Sequence, residues 1–285
     1  MCCQKLKEEL IQVKSEFKEL EKGITERLKD AIDQGDTQKA LELCEQLPRD
    51  FHNMYMLLHQ AIGLFYLPYV QKLFEDNQGK LAEKIKKAVK DKDYGLAREL
   101  LDEKRNQYLA IHETYVEILA MLFGMIDDAF GDEALEGAHR YWGQQIPKWY
   151  EKRVSISAEE QVRYCAFMFN EHLSEKITID EDEEKYIVTL DGCGSGGRLV
   201  RKGLYQESPR ALKKISQAQV MTGGNADYPI YCTHCHILFG AFPMDNYDNP
   251  LWVVDALNKP EESCRILIYK DRSKVPEEYR QRWRH

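Results

Sequence analysis

The chain lacks any run of about 18 uninterrupted apolar residues, the length a helix needs to cross a bilayer. Its opening, Met1-Cys2-Cys3-Gln4-Lys5-Leu6-Lys7-Glu8-Glu9-Leu10, has no apolar signal-peptide core. No membrane association is therefore expected, and the expected location is cytoplasmic. Only 9 of the 285 residues are proline, which excludes collagen-like and proline-rich architectures. Basic residues are in deficit: 40 Lys and Arg stand against 48 Asp and Glu, a net charge of −8. Nucleic-acid affinity draws mainly on a Lys/Arg surplus against phosphate, so no nucleic-acid partner is expected. A small-molecule substrate is, with a homo-oligomer as the remaining assembly. The 8 cysteines, without an export signal, point to free thiols, metal ligands or catalysis rather than a disulfide framework.

What is present divides into two textures. Residues 1–150 read as a helical bundle. Helical spacing runs through Leu6, Leu10, Val13 and Phe17, then Leu28, Ala31 and Ile32, and again from Ile111 to Ile126. Breaks are expected at Gly35-Asp36, Pro48, Gly79, Gly131-Asp132 and Pro147. A weak internal repeat aligns 24–75 with 81–130, matching Leu28 with Ile85, Ala31 with Ala88, Asp36 with Asp93 and Ala40 with Ala97. Neither copy could bury its apolar face alone, so the pair implies an antiparallel bundle. Each copy carries a histidine with tyrosine three residues on, His52 with Tyr55 and His112 with Tyr115. Either each histidine is a satisfied core residue, or His52, His112 and Tyr115 line one cavity.

Residues 155–285 change character. A helix over 158–174 leads into strand-like runs at 176–179 and 186–190, with two more at 251–256 and 264–269. A short helix over 231–242 lies between these pairs, and a Pro-started helix closes the chain. The expected fold class is α+β: an N-terminal antiparallel helical bundle followed by a Cys-rich domain with a small antiparallel sheet.

Two constellations carry chemistry. The first is Asp191-Gly192-Cys193-Gly194-Ser195-Gly196-Gly197-Arg198, directly after an apolar strand. Its glycines let backbone N–H groups approach an anion, although it has neither the Lys-Ser/Thr of a P-loop nor the dinucleotide glycine spacing. Gly194, Ser195 and Gly196 are candidate substrate contacts, and Arg198 could grip a carboxylate with two parallel hydrogen bonds. The bland alternative is a flexible turn.

The second is Tyr231-Cys232-Thr233-His234-Cys235-His236. On a helix Cys232, Cys235 and His236 share a face, half of a soft-metal site. Cys193 and Cys264 are the candidates to complete it, and buried inert thiols are the alternative. The same letters spell the c-type haem attachment pattern, which is disfavoured because that attachment takes place outside the cytoplasm.

The runs CGSGGRL, YCTHCHILFGAFP and CRILIYKD followed by VPEEYRQR resemble the L-2-amino-thiazoline-4-carboxylic acid hydrolase-like proteins, a largely uncharacterised bacterial group. The resemblance covers the C-terminal 130 residues and implies a cysteine-dependent enzyme acting on a small molecule, hydrolysing a ring C–N or C–S bond. A shorter similarity links Tyr231 to Cys235 to the organomercurial lyases, which place an Asp where this chain has Cys235. The acid that would deliver the proton for carbon–mercury cleavage is therefore missing.

The resulting expectation is a metal-dependent enzyme. Zinc at Cys193, Cys232 and Cys235, with Cys264 as a further ligand, would activate water. His236 or His112 would move protons, and Arg198 would hold the substrate. In an alternative, Cys232 is a nucleophile activated by His236. A third reading is a non-catalytic soft-metal or thiol-ligand sensor.

Overall fold

The computed structural model describes residues 22–206, 211–256 and 263–283, without the side chains at 50–55, 57–59 and 65. The helix expected before residue 18, Cys2, Cys3 and the side chain of His52 lie outside the described residues. Two compact units divide the chain, 1–101 and 102–285. The helices after residue 101 thus fall with the sheet rather than with the bundle expected over 1–150.

In the first unit, α1 (Ile24–Asp33) turns into α2 (Thr37–Gln60), which passes through a wider π-helical segment, Ala61–Tyr66, into α3 (Leu67–Lys90). Pro48 lies inside α2 and does not end it, and Gly79 lies inside α3. Proline forfeits one backbone hydrogen bond and glycine adds backbone freedom, and the helices on either side outweigh both. The turns after α1 and after α3 share one hydrogen-bond pattern. Asp36 N–H donates to Ala31 O and Asp93 N–H to Ala88 O, while the Asp36 and Asp93 carboxylates accept from the backbone N–H of Lys39 and Leu96. This is helix capping by an acidic side chain, repeated where the sequence aligns.

Helix α4 (Tyr94–Phe130) continues from that turn into the second unit. Among the described residues it is the one helix long and apolar enough, by length and composition, to cross a membrane, and 22% of its most apolar stretch is buried. Within the second unit Val116, Ala120 and Phe123 face the core, and Glu113, Asp127 and Asp128 pair with Arg198, Lys202 and Lys213. Short helices α5 (Asp132–Gln144) and α6 (Pro147–Val154) follow, breaking at Gly131 and Pro147 as the sequence implies. Gly143 has no room for a side chain against the ring of Phe242. Helix α7 (Ala158–Glu171) starts at a full capping box between Ser157 and Glu160.

The fold is α+β. Its sheet orders β1 (Lys176–Glu181), β2 (Lys185–Asp191), β6 (Ser263–Tyr269) and β5 (Val253–Ala256), all antiparallel, in the sequence β1-β2-β6-β5. The β2 residues Val188 and Leu190 and the β6 residues Ile266 and Ile268 put their side chains in the core with Trp252, whose indole N–H donates to buried Gln161. A short helix α8 (Gly196–Arg201) follows β2, and a two-stranded ribbon joins β3 (Lys214–Ile215) to β4 (Tyr228–Pro229). The segment expected as one helix over 231–242 changes winding three times. It is 3₁₀ over Ile230–Cys232, α over Thr233–His236 (α9) and π over Ile237–Ala241, before α10 (Phe242–Tyr247). The closing helix is α11 (Glu277–Gln281).

Two histidines are core residues of this unit: His139 is 1% exposed and His236 2%. His139 shares a hydrogen bond of 2.9 Å with the Thr233 hydroxyl, and His236 one of 3.1 Å with the Tyr228 phenol. Burial depresses both imidazoles to about 3. They are neutral in the fold, whereas the unfolded chain takes up protons near pH 6.5, so stability falls as pH drops from about 6.5 towards 3. Thermal unfolding followed at pH 7.5 and pH 5 should show a lower Tm at pH 5 and a smaller pH-dependent drop in His139→Gln. Equal drops in both proteins would mean that His139 does not titrate on unfolding.

Candidate functional site

The four C-terminal cysteines come from different elements of the second unit and lie within electrostatic range of one another. Cys264 sits on β6 opposite Leu190 of β2, Cys193 lies in the loop that leaves β2, Cys232 ends the 3₁₀ turn and Cys235 lies in α9. All are free thiols, partly buried against the core. Burial pushes the Cys232 thiol well above its ordinary range, and the neighbouring Cys235, Cys193 and Cys264 push it further. The Cys264 thiol is raised by burial and then by Cys193 and Cys235. Three phenols border the group: Tyr228 feels all four sulfurs, Tyr231 feels Cys235, Cys193 and Cys232, and Tyr205 feels Cys232.

The glycine-rich loop owes its composition to close packing. A Cβ at Gly196 would overlap the Cys232 sulfur, and one at Gly194 would overlap the backbone carbonyl of His172. Gly192 has φ +77°, which an L side chain rarely adopts. The loop thereby brings Cys193 and Ser195 against the end of α7 and the 3₁₀ turn.

Among these cysteines, Cys235 has an imidazole within hydrogen-bond reach of its sulfur. His234 Nε2 lies 3.5 Å from Cys235 Sγ. On the other side of the ring, His234 Nδ1 lies 2.5 Å from the backbone carbonyl of Tyr231. A carbonyl only accepts, so Nδ1 carries the proton and Nε2 presents its lone pair to the thiol. Burial holds the imidazole at about 4, despite the carbonyl, which favours the charged form. The Cys235 thiol is raised by burial and by Cys193. The pair is therefore neutral at pH 7, with S–H donating to Nε2. Aromatic rings enclose the imidazole: Tyr231 edge-on at 4.8 Å, Trp142 stacked at 5.9 Å and Phe123 at 6.0 Å between centroids. Trp142 is 39% exposed, so this wall reaches the surface.

His236 bonds Tyr228 and packs its ring on Gly223, with no bond to a thiol. Arg198 pairs with Glu113 at 3.4 Å and donates to the carbonyl of Leu173 at 2.5 Å, and Lys202 shares Glu113 at 2.5 Å. Its guanidinium thus ties α8 to α4 and to the end of α7, where the sequence reading gives it a substrate carboxylate. His112 bonds His172 at 2.8 Å, and Ser195 bonds the same imidazole at 3.0 Å. Tyr115 is 37% exposed on α4, and His52 lies outside the described side chains. Among the described residues no three His, Cys, Asp or Glu side chains are arranged to hold a metal ion. The thiols expected to ligate zinc are neighbours without forming a coordination set, because each packs into the core from its own element.

Two functional candidates escaped the sequence reading. His234 was available between the two cysteines, but an unbroken α-helix puts Cys232, Cys235 and His236 together and leaves His234 aside. His172 lies at the end of α7 with no motif around it. Comparison with protein-family models, curated proteins and solved structures yields no match.

The packing of Gly196 on Cys232 leads to a direct expectation. Gly196→Ala must displace the sulfur or the loop and should lower the Tm by several degrees, while raising the rate at which iodoacetamide alkylates Cys232. Gly137→Ala, at an exposed helical site with open space around it, should be neutral or stabilising by up to about 1 kcal/mol. Equal behaviour of the two variants would show that the contact does not constrain the loop.

Proposed function

We propose that this chain is a cysteine-dependent enzyme acting on a small molecule, with Cys235 as nucleophile and His234 as its general base. One observation carries this reading: the Tyr231 carbonyl fixes the His234 tautomer that aims a bare Nε2 at the Cys235 sulfur. A nucleophile, a base within reach and a group that orients the base are the parts that thiol catalysis needs. The substrate class follows from the resemblance of the CGSGGRL and YCTHCH runs, a small sulfur- or nitrogen-containing ring acid. In the proposed reaction the thiol proton moves to His234 as sulfur bonds to the electrophilic ring carbon. The proton then passes to the departing ring nitrogen or sulfur, and water releases the bound group and restores the thiol. Trp142, stacked on His234, favours the transient imidazolium through its π face.

The test is turnover of a panel of thiazoline, oxazoline and lactam carboxylates. Cys235→Ser should abolish turnover, and His234→Gln should reduce kcat by 10²- to 10⁴-fold, the range of a general base. The base is neutral above about pH 4, so kcat/KM should lose activity only below about pH 5, without an inflection near 6.5. Full activity in Cys235→Ser would remove the proposal.

A second reading, a soft-metal or thiol-ligand sensor, draws on the mutual proximity of the four thiols. It requires them to converge further on binding. Titration with zinc followed by native mass spectrometry should then give one bound ion, lost in Cys232→Ser and Cys264→Ser and retained in Cys44→Ser. No bound ion at micromolar zinc would set this reading aside.

A further inference from the structure

Helix α4 has two apolar faces within the second unit, and the core uses one of them. Val116, Ala120 and Phe123 turn into the core. On the far side Tyr108, Ile111, Tyr115, Ile118, Leu122 and Met125 follow one another at alternating steps of three and four residues. Side chains so spaced keep to one strip, because seven residues fall only about 20° short of two helical turns. That spacing is the seam one helix offers to another, each side chain a knob for a hole on the facing helix. A globular helix ordinarily carries its polar residues on this side. Here the last four seam residues are exposed, Tyr115 37%, Ile118 39%, Leu122 44% and Met125 54%, and Met121 beside them is 65% exposed.

The strip is complementary to itself. Laid antiparallel on its own image it sets Tyr108 opposite Met125, Ile111 opposite Leu122 and Tyr115 opposite Ile118, and a two-fold axis repeats each pairing. Such closure is what a contact between two identical subunits requires. The charges at its ends agree with this direction. Arg105 stands at the start and Asp128 at the end, where Lys213 offsets it only in part because it also serves Asp127. Antiparallel packing brings the basic end of one copy level with the acidic end of the other and opposes the two helix dipoles. Five side chains exposed to this extent present on the order of 500 Å² of apolar surface per copy, and a polar rim brings that near the roughly 800 Å² per partner of a stable interface. A bilayer surface is a poorer match. Helices that lie on membranes carry Lys and Arg beside the apolar face, and from residue 106 to 130 this helix has neither.

We propose that this chain forms a two-fold dimer, in which the 108–125 strip of α4 packs antiparallel on the same strip of a second copy. This goes beyond the cysteine reading and does not depend on it.

The full-length protein is measured by sedimentation equilibrium at micromolar concentration, where the mass of two chains is expected. Ile118→Glu and Met125→Glu each place two carboxylates in the seam of one dimer and should raise the dissociation constant at least 100-fold, with the far-UV circular dichroism of wild type. Phe167→Glu, at an exposed apolar residue on α7, should leave the dimer intact. Tyr115→Lys and Ile118→Glu should each be monomeric alone and pair when mixed, because antiparallel packing sets position 115 of one copy against 118 of the other. That recovery also shows that both variants fold. A monomeric wild type would overturn the proposal, as would a dimer that persists in both glutamate variants or a mixture that fails to pair. Flotation of monomeric wild type with phosphatidylserine vesicles would assign the strip to a membrane instead and would equally overturn it.

Discussion

The hydrogen bond from His234 Nδ1 to the Tyr231 carbonyl is the constraint on which the presentation of His234 to Cys235 depends. Neutral imidazole has one donor and one acceptor, so committing Nδ1 to a carbonyl decides what the far side of the ring can do. That far side faces Cys235. The bond exists because the backbone leaves the 3₁₀ turn at Cys232 and enters only four residues of α-helix, Thr233–His236, before widening into a π segment. π segments are rare and recur at functional positions, since they re-aim side chains relative to a regular helix. Here the changes of winding accompany two divergent histidines, His234 towards the thiols and His236 into the core against Tyr228 and Gly223.

Around this pair the structure keeps charge low. The thiols raise one another, the phenols are raised by burial, and His112, His139, His234 and His236 are all held below their ordinary value by burial. These shifts disfavour a resting thiolate–imidazolium pair. Arg198 adds to the depression of His112, and Arg282 to that of His236. Arg198 and Lys202 are committed to Glu113, so their role is to join α8 to α4 and hold the glycine-rich loop against Cys232. His172 lies close enough to His234 to add to the lowering of its pKa.

Much of the fold was legible in the sequence because apolar period and breakers report backbone geometry locally. The strand-like runs at 176–179 and 186–190, the helix from Ala158 and the alignment of Asp36 with Asp93 all followed from local pattern, and they correspond to β1, β2, α7 and two like-capped turns. Pro48 and Gly79 misled because a breaker inside a long helix costs less than ending it. The thiol group was legible as a set of residues, since Cys193, Cys232, Cys235 and Cys264 were singled out and lie within electrostatic range of one another. Its internal pairing was not. Choosing His236 over His234 assumed uniform α-helical phase, and winding is set by packing of Ile237 to Phe242 in the core rather than by the spacing of the motif. Arg198 misled for a related reason: its partner Glu113 is 85 residues away in the chain, and nothing local announces it. His172, likewise, acquires meaning only when β2 and the loop after it bring Ser195 to the end of α7.

The central claim is a tautomer, and nitrogen NMR reads it directly. In protein labelled with ¹⁵N-histidine, assigned with His234→Gln, the His234 ring should show a protonated Nδ1 and a bare, pyridine-type Nε2 from pH 8 down to about pH 5. Cys235→Ser should shift the Nε2 resonance and leave Nδ1 nearly unmoved. A proton on Nε2 at neutral pH, or a titration centred near 6.5, would contradict the account, because His234 would then have no lone pair turned towards the Cys235 thiol.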